Sequence, residues 1–148
     1  MRITIAGAFT ILLVAVLCPV LASASDPTLA VGQRWSYETR PGEEESTLVI
    51  GRLEQHPVFG EVAHISIFGL RVKAPQRPDG VLPTLGHIPI SVESLRSSLV
   101  ELVGNGSPDE TFEQGYAIWS DVAQDGEGGV FAIPVREIVS YVEDTLNQ

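Results

Sequence analysis

The chain has 148 residues, with 9 Lys and Arg against 19 Asp and Glu, a formal net charge of −10 at pH 7, and one cysteine. That balance argues against nucleic acid and anionic lipid as partners, since both are held by basic surfaces. A single cysteine excludes a disulfide framework, and the length suits one domain with a core of its own.

The first segment reads as an export signal. Arg2 gives it a positive start, an apolar run from Ile5 to Cys18 ends at Pro19, and Ala22-Ser23-Ala24 has the small-x-small pattern read by signal peptidase. The apolar run is about 14 residues, short of the roughly 20 that a bilayer span needs. Cleavage after Ala24 is therefore expected, with an uncleaved anchor as the alternative. Leu17 is too large for the position before a lipidated cysteine. Processing leaves residues 25–148 as a single domain with no cysteine, held together by packing alone. The expected location is the periplasm or the exterior, with no stable membrane insertion after cleavage. Lys73 is the only lysine beside eight arginines, which fits a GC-rich bacterial coding bias.

Strand periodicity follows. Gln33 to Arg40 places Trp35, Tyr37 and Thr39 on one face. Pro41-Gly42 predicts a turn, with Glu43-Glu44-Glu45 extending it into solvent. Ser46 to Glu54 and Glu61 to Val72 read as two more strands, separated by a turn through His56, Pro57 and Gly60. Alternation breaks at Gly69, which predicts a β-bulge near Phe68-Gly69. Prolines 75, 78 and 83 with glycines 80 and 86 predict a loop over Ala74 to Gly86, and His87 to Ile90 a short edge strand.

Helical spacing takes over at Ser91, a good N-cap for a helix reaching about Val103, with Val92, Leu95, Leu99 and Leu102 as its buried stripe. Gly104-Asn105-Gly106 stops it. Ser107-Pro108-Asp109-Glu110 has the form of a capping box that opens a second helix, whose inner face is Phe112, Tyr116, Trp119 and Ala123. Val130 to Ile133 reads as a short strand, and Pro134 starts a last helix with Val135, Ile138, Val142 and Leu146 inward. Strands first and helices later predict an α+β fold: a small antiparallel sheet of three to five strands with about three helices packed on one face.

The segment from Gly32 to Glu44, GQRWSYETRPGEE, resembles the opening of small uncharacterised bacterial proteins. Gly86-His87-Ile88-Pro89 and Phe112-Glu113-Gln114-Gly115-Tyr116 are similar to later features of that group. No activity is established for the group, so the resemblance implies a bacterial source and no function.

Catalytic and metal signatures give nothing to build on. His56, His64 and His87 match no zinc spacing, and the G-x-S-x-G and S-x-x-K nucleophile patterns are missing. His64 should point away from its apolar neighbours Ala63 and Ile65, as a surface or partly buried structural histidine. Asp121, Asp125 and Glu127 depart from the calcium-loop spacing. No cofactor and no metal are expected. Trp35, Tyr37, Phe112, Tyr116 and Trp119 hold most of the aromatic mass, as core between sheet and second helix or as the lining of a ligand groove.

Charge is lopsided. Residues 26–90 hold 8 acids and 6 bases, whereas residues 91–148 hold 11 acids and only Arg96 and Arg136 as bases. This asymmetry predicts a non-catalytic binding protein, of the immunity or inhibitor kind, that recognises a basic protein partner. The expected docking residues are Glu101, Asp109, Glu110, Glu113, Asp121 and Asp125, placed off the apolar stripes of the first two predicted helices. A small-molecule binder with an aromatic-lined pocket and a carboxylate-based hydrolase are the alternatives.

Overall fold

The structure is a computed structural model that describes residues 27–148; the export segment expected at 1–24 lies outside the described residues. Five strands, β1 (Gln33–Tyr37), β2 (Thr47–His56), β3 (Gly60–Lys73), β4 (Val81–Ser91) and β5 (Leu99–Asn105), form one antiparallel sheet in the order β4-β3-β2-β1-β5. Three helices, α1 (Val92–Ser98), α2 (Phe112–Gln124) and α3 (Val135–Leu146), complete the α+β fold. The β3–β4 ladder shifts register between Phe68 and Val72, where the bulge was expected, and Gly69 takes φ 74, a left-handed value that glycine reaches without strain.

The period-2 pattern of the strands creates two unlike faces. Trp35, Tyr37, Leu48, Ile50, Ala63, Ile65, Ile67, Ile88 and Ile90 cluster with Leu95 of α1 and Val135, Ile138 and Val139 of α3. Each such side chain contributes about 1.5–3 kcal/mol when fully buried. The residues between them, His64 and Ser66, turn to the other face, where His64 meets Trp119 of α2 and Ser66 accepts from Asp109 N just ahead of that helix. The helices are thus divided, α1 and α3 on one face and α2 on the other, rather than gathered on a single face. Steric room explains the seat of α2. A Cβ at Gly51 would stand 2.4 Å from the Phe112 ring, and one at Gly115 would stand 2.6 Å from His87 Cβ. Only glycine at these two positions lets helix and sheet approach so closely.

Other elements differ from the sequence expectation. The helix expected from Ser91 to Val103 ends at Ser98, and Leu99 to Asn105 pairs with β1 as β5. Leu99 and Leu102 satisfy a helical stripe in sequence, but Val100 and Val103 are β-branched. The open edge of β1 also offers a ladder that a lone helical turn could not match. Ser98 marks the break: its buried Oγ donates to Ser94 O at 2.9 Å and accepts from Val135 N at 3.0 Å. The loop expected through Gly86 closes by Gly80, and β4 runs on through Pro83 and Pro89 because an edge strand tolerates residues without an N–H. Val130 to Ile133 makes only an isolated parallel bridge, Phe131 to Ile90. Helix α2 begins at Phe112, not at the expected box, since the Asp109 carboxylate accepts from Thr111 N and Oγ1.

Most free backbone of the sheet is sealed. Beyond the end of β2, Arg71 N and Lys73 N donate to Glu43 Oε1 and Glu143 Oε2, each at 2.7 Å, and Lys73 O accepts from Asn147 Nδ2 at 2.9 Å. Three side chains thus stand in for a missing strand. Along β4, Pro89 O accepts from Phe131 N at 3.0 Å and Ser91 N donates to Phe131 O at 2.9 Å. Glu43, expected at a solvated tip, is 4% exposed, and Arg40 grips it with Nε at 2.9 Å and Nη2 at 2.7 Å. Burial pushes its carboxyl up, but the Arg40 fork and the Arg71 N–H outweigh that and hold it below the ordinary carboxylate range. Glu44 and Glu45 alone reach solvent.

Candidate functional site

All three histidines come together on the α2 face, which no spacing in the sequence suggested. His64, at the middle of β3, is fully buried. Its Nε2 lies 3.0 Å from Glu54 Oε1 on β2, and its Nδ1 lies 2.9 Å from His87 Nε2 on β4. Tyr116 of α2 donates to Glu54 Oε2 at 3.0 Å. A carboxylate can only accept, so His64 carries its proton on Nε2 and accepts from His87 on Nδ1. The relay therefore runs from His87 through His64 to Glu54, with Tyr116 closing it from the helix.

Aromatic rings enclose the relay. Trp119 meets His64 edge-on at 4.6 Å between centroids, Tyr116 meets it at 4.9 Å, and Phe112 meets His87 at 5.4 Å. His56, at the end of β2, lies 5.7 Å from Trp119. Trp119 is 8% exposed and donates from Nε1 to Gly129 O at 2.9 Å, so it is a core residue as the helical stripe predicts. The Arg52 guanidinium stacks 3.9 Å above the Tyr116 ring and approaches Glu113 at 3.6 Å.

Burial dominates the electrostatics of the two histidines. It lowers the pKa of His64 against the opposing pull of Glu54, and it pushes His87 down to about 4, helped by the neighbouring His64. Burial and the Glu54 carboxylate raise the Tyr116 phenol. Both imidazoles are thus neutral near pH 7, a state that suits a fixed hydrogen-bonded relay. The remaining ring nitrogen of His87, Nδ1, is a bare acceptor and faces Gly115 of α2. Among the described residues no group of three or more His, Cys, Asp or Glu side chains could hold a metal ion. No helix among them is long and apolar enough to cross a membrane.

The five aromatic residues do not line one groove. Trp35 and Tyr37 belong to the aliphatic face with α1 and α3, while Phe112, Tyr116 and Trp119 belong to α2. Burial pushes the Tyr37 phenol up to about 12, and its hydroxyl pairs with Ser46 Oγ at 2.7 Å. The clefts lie elsewhere. One of about 320 Å³ opens at the end of the β2–β3 hairpin beside Glu54, Glu61 and Arg96. Another of about 320 Å³ is bordered by Arg40, Glu43, Arg71, Lys73 and Glu143.

The acidic residues singled out in the sequence divide among three places. Glu113 and Asp121 lie on α2, Glu110 just before it and Asp125 at its C-cap, all exposed. Asp109 is half-buried and occupied by Thr111. Glu101 is exposed on β5, a separate element. At 3.6 residues per turn, Gln114, Ile118, Asp121 and Asp125 share the side of α2 opposite Phe112, Trp119 and Ala123. Ile118 is 63% exposed there, and Val122 beside it 42%. The sequence indicated the charges of this surface but not its apolar centre, because Ile118 fits neither stripe of the helix.

No family model, curated protein or solved structure matches the chain.

Proposed function

We propose that this chain is an exported, non-catalytic binding protein that recognises a basic protein partner through the outer surface of α2. The observation that carries this reading is Ile118, exposed on the outer side of α2 beside Asp121 and Asp125, with Glu113 on the flank and Glu110 just ahead of the helix. An apolar centre with a charged rim is the usual anatomy of a protein interface. Arg52 of β2, 3.6 Å from Glu113, is the one cation paired with these acids among the described residues. Of the two bases in residues 91–148, Arg136 lies 3.3 Å from Glu38 and Arg96 donates to Pro27 O. Asp121 and Asp125 have no cationic partner within 4.0 Å among the described residues. Such a surface steers a cationic protein toward α2, and Ile118 and Val122 then supply apolar contact. The immunity or inhibitor form of the reading rests on small size, the export signal expected at residues 1–24 and this one-sided acidity.

The test is to capture partners from host extract on the immobilised chain and to measure their association rates. Reversing Glu110 and Glu113 to lysine, and separately Asp121 and Asp125, should slow association about tenfold or more at low salt and far less at high salt. Both variants should melt as the parent does. An acidic partner, or an on-rate indifferent to salt and to both reversals, would rule the reading out.

A further inference from the structure

Edge strand β5 stands apart from the other boundaries of the sheet. The projecting end of β3 is sealed by Glu43, Glu143 and Asn147, and β4 carries Pro83, Pro89 and the Phe131 bridge. β5 has no proline, no lysine and no covering element; after Leu99 each of its residues is exposed. Val100 is 65% exposed, and Leu102 and Val103 are 47% exposed each. Val31, just ahead of the Gln33–Asn105 pair that ends the ladder, is 61% exposed. The register against β1 shifts twice along β5, and the residues left unpaired are Val100 and Val103. Bulges commonly blunt an edge by turning charge outward. Here they present two valines.

We infer that β5 is the contact through which a second copy of this chain associates, edge to edge and antiparallel, about a two-fold axis at Leu102. Charge decides the occupant. β5 carries one ionised side chain, Glu101, in a half that holds 11 acids, so this strand has little to offer a basic partner. An antiparallel edge is complementary to itself. With the axis at Leu102, the middle residue of β5, Leu102 meets its own copy, Glu101 meets Val103, and Val100 meets Gly104. No like charges stand directly across the join. A seven-residue edge falls short of the roughly 800 Å² per partner of a standard interface, so the dimer is weak, with Kd on the order of 10–100 μM. Two chains of charge −10 repel each other while the joined side chains, Glu101 apart, carry no charge, so salt should tighten this contact, opposite to the salt response expected of the α2 surface.

Sedimentation and light scattering on the protein as its cell produces it, from low to about millimolar concentration and at two salt levels, test the inference. The expected result is a monomer–dimer equilibrium strengthened several-fold by salt. Val100→Lys with Val103→Lys should abolish the dimer and leave the melting temperature unchanged, since both residues are exposed. Hydrogen exchange gives an independent reading: amides 99–105 should slow as concentration rises while those of α2 do not. A monomer throughout, a dimer that survives the double lysine variant, or one that salt dissociates would each overturn the inference. None of these outcomes bears on the α2 reading, which is tested by partner association rates.

Discussion

The two faces of the sheet bury their residues by different means. Under α1 and α3 the contact is aliphatic, with Leu48, Ile50, Ile65, Ile67, Leu95 and Ile138 and few directional bonds. Under α2 the centre is His64, bonded to His87 and Glu54 and ringed by Tyr116 and Trp119. An aliphatic face tolerates exchange among residues of similar volume. A hydrogen-bonded face does not, because each buried polar atom needs its partner. Among the described residues no buried side-chain nitrogen or oxygen lacks one, and of the ring nitrogens of His64 and His87 only His87 Nδ1 is left without a protein partner. Helix α2 is thus held by chemistry sensitive to protonation, whereas α1 and α3 are held mainly by aliphatic burial, with the Glu143 carboxylate as an ionisable anchor of α3 to β3.

The largest effect that separates the faces should come from Trp119→Ala. It removes the ring that spans α2, His64 and Gly129, and truncating a buried aromatic costs about 3–5 kcal/mol. A thermal melt should fall by on the order of 10 °C or more. An unchanged melt would mean that α2 is not anchored by this residue. A second, smaller loss should follow His64→Leu, which keeps apolar volume but strips partners from Glu54 and His87. The expected cost is about 1–3 kcal/mol, partly recovered when His87→Leu is added, because one orphaned group is then removed. Isosteric exchange on the opposite face, such as Ile65→Leu, should cost less than about 1.5 kcal/mol in the same denaturation series. Equal costs at His64 and Ile65 would erase the distinction between the faces.

How much of this was legible in the sequence follows the same division. Alternation marks a face where polar and apolar residues take turns, so β1, β2, β3 and the bulge at Gly69 could be read from Trp35 to Val72. The inner stripe of α2 was equally plain, and Trp119 lies where that stripe puts it. What could not be read depends on contacts distant in sequence. Leu99 and Leu102 fit a helix until β1 offers them a ladder, and Glu43 looks solvated until Arg40 and Arg71 close on it. The relay joins Glu54, His64, His87 and Tyr116 across three strands and a helix, and no local pattern encodes it. A signal was there in the alternation that turned His64 away from Ala63 and Ile65. It pointed to the face that α2 was found to cover. The charges on α2 were visible from composition, but their arrangement around Ile118 needed the helix phase.

Protonation tests the central claim that a neutral relay holds α2. Burial depresses both His64 and His87 below the ordinary value of 6.5, His87 to about 4. The unfolded chain therefore takes up these protons first as pH falls. The stability that the pair contributes is complete above about pH 6.5 and is lost as pH falls from there through about 4. The direct measurement is an NMR titration of the imidazole carbons of the folded protein, with exchange of the α2 amides followed in parallel. His64 is expected to titrate below 6.5 and His87 to reach half-protonation near 4, with α2 amides losing protection as pH falls toward 4 while those of α3 keep more of theirs. Either histidine titrating at or above 6.5 in the intact fold, or α2 and α3 opening together at every pH, would contradict the central claim.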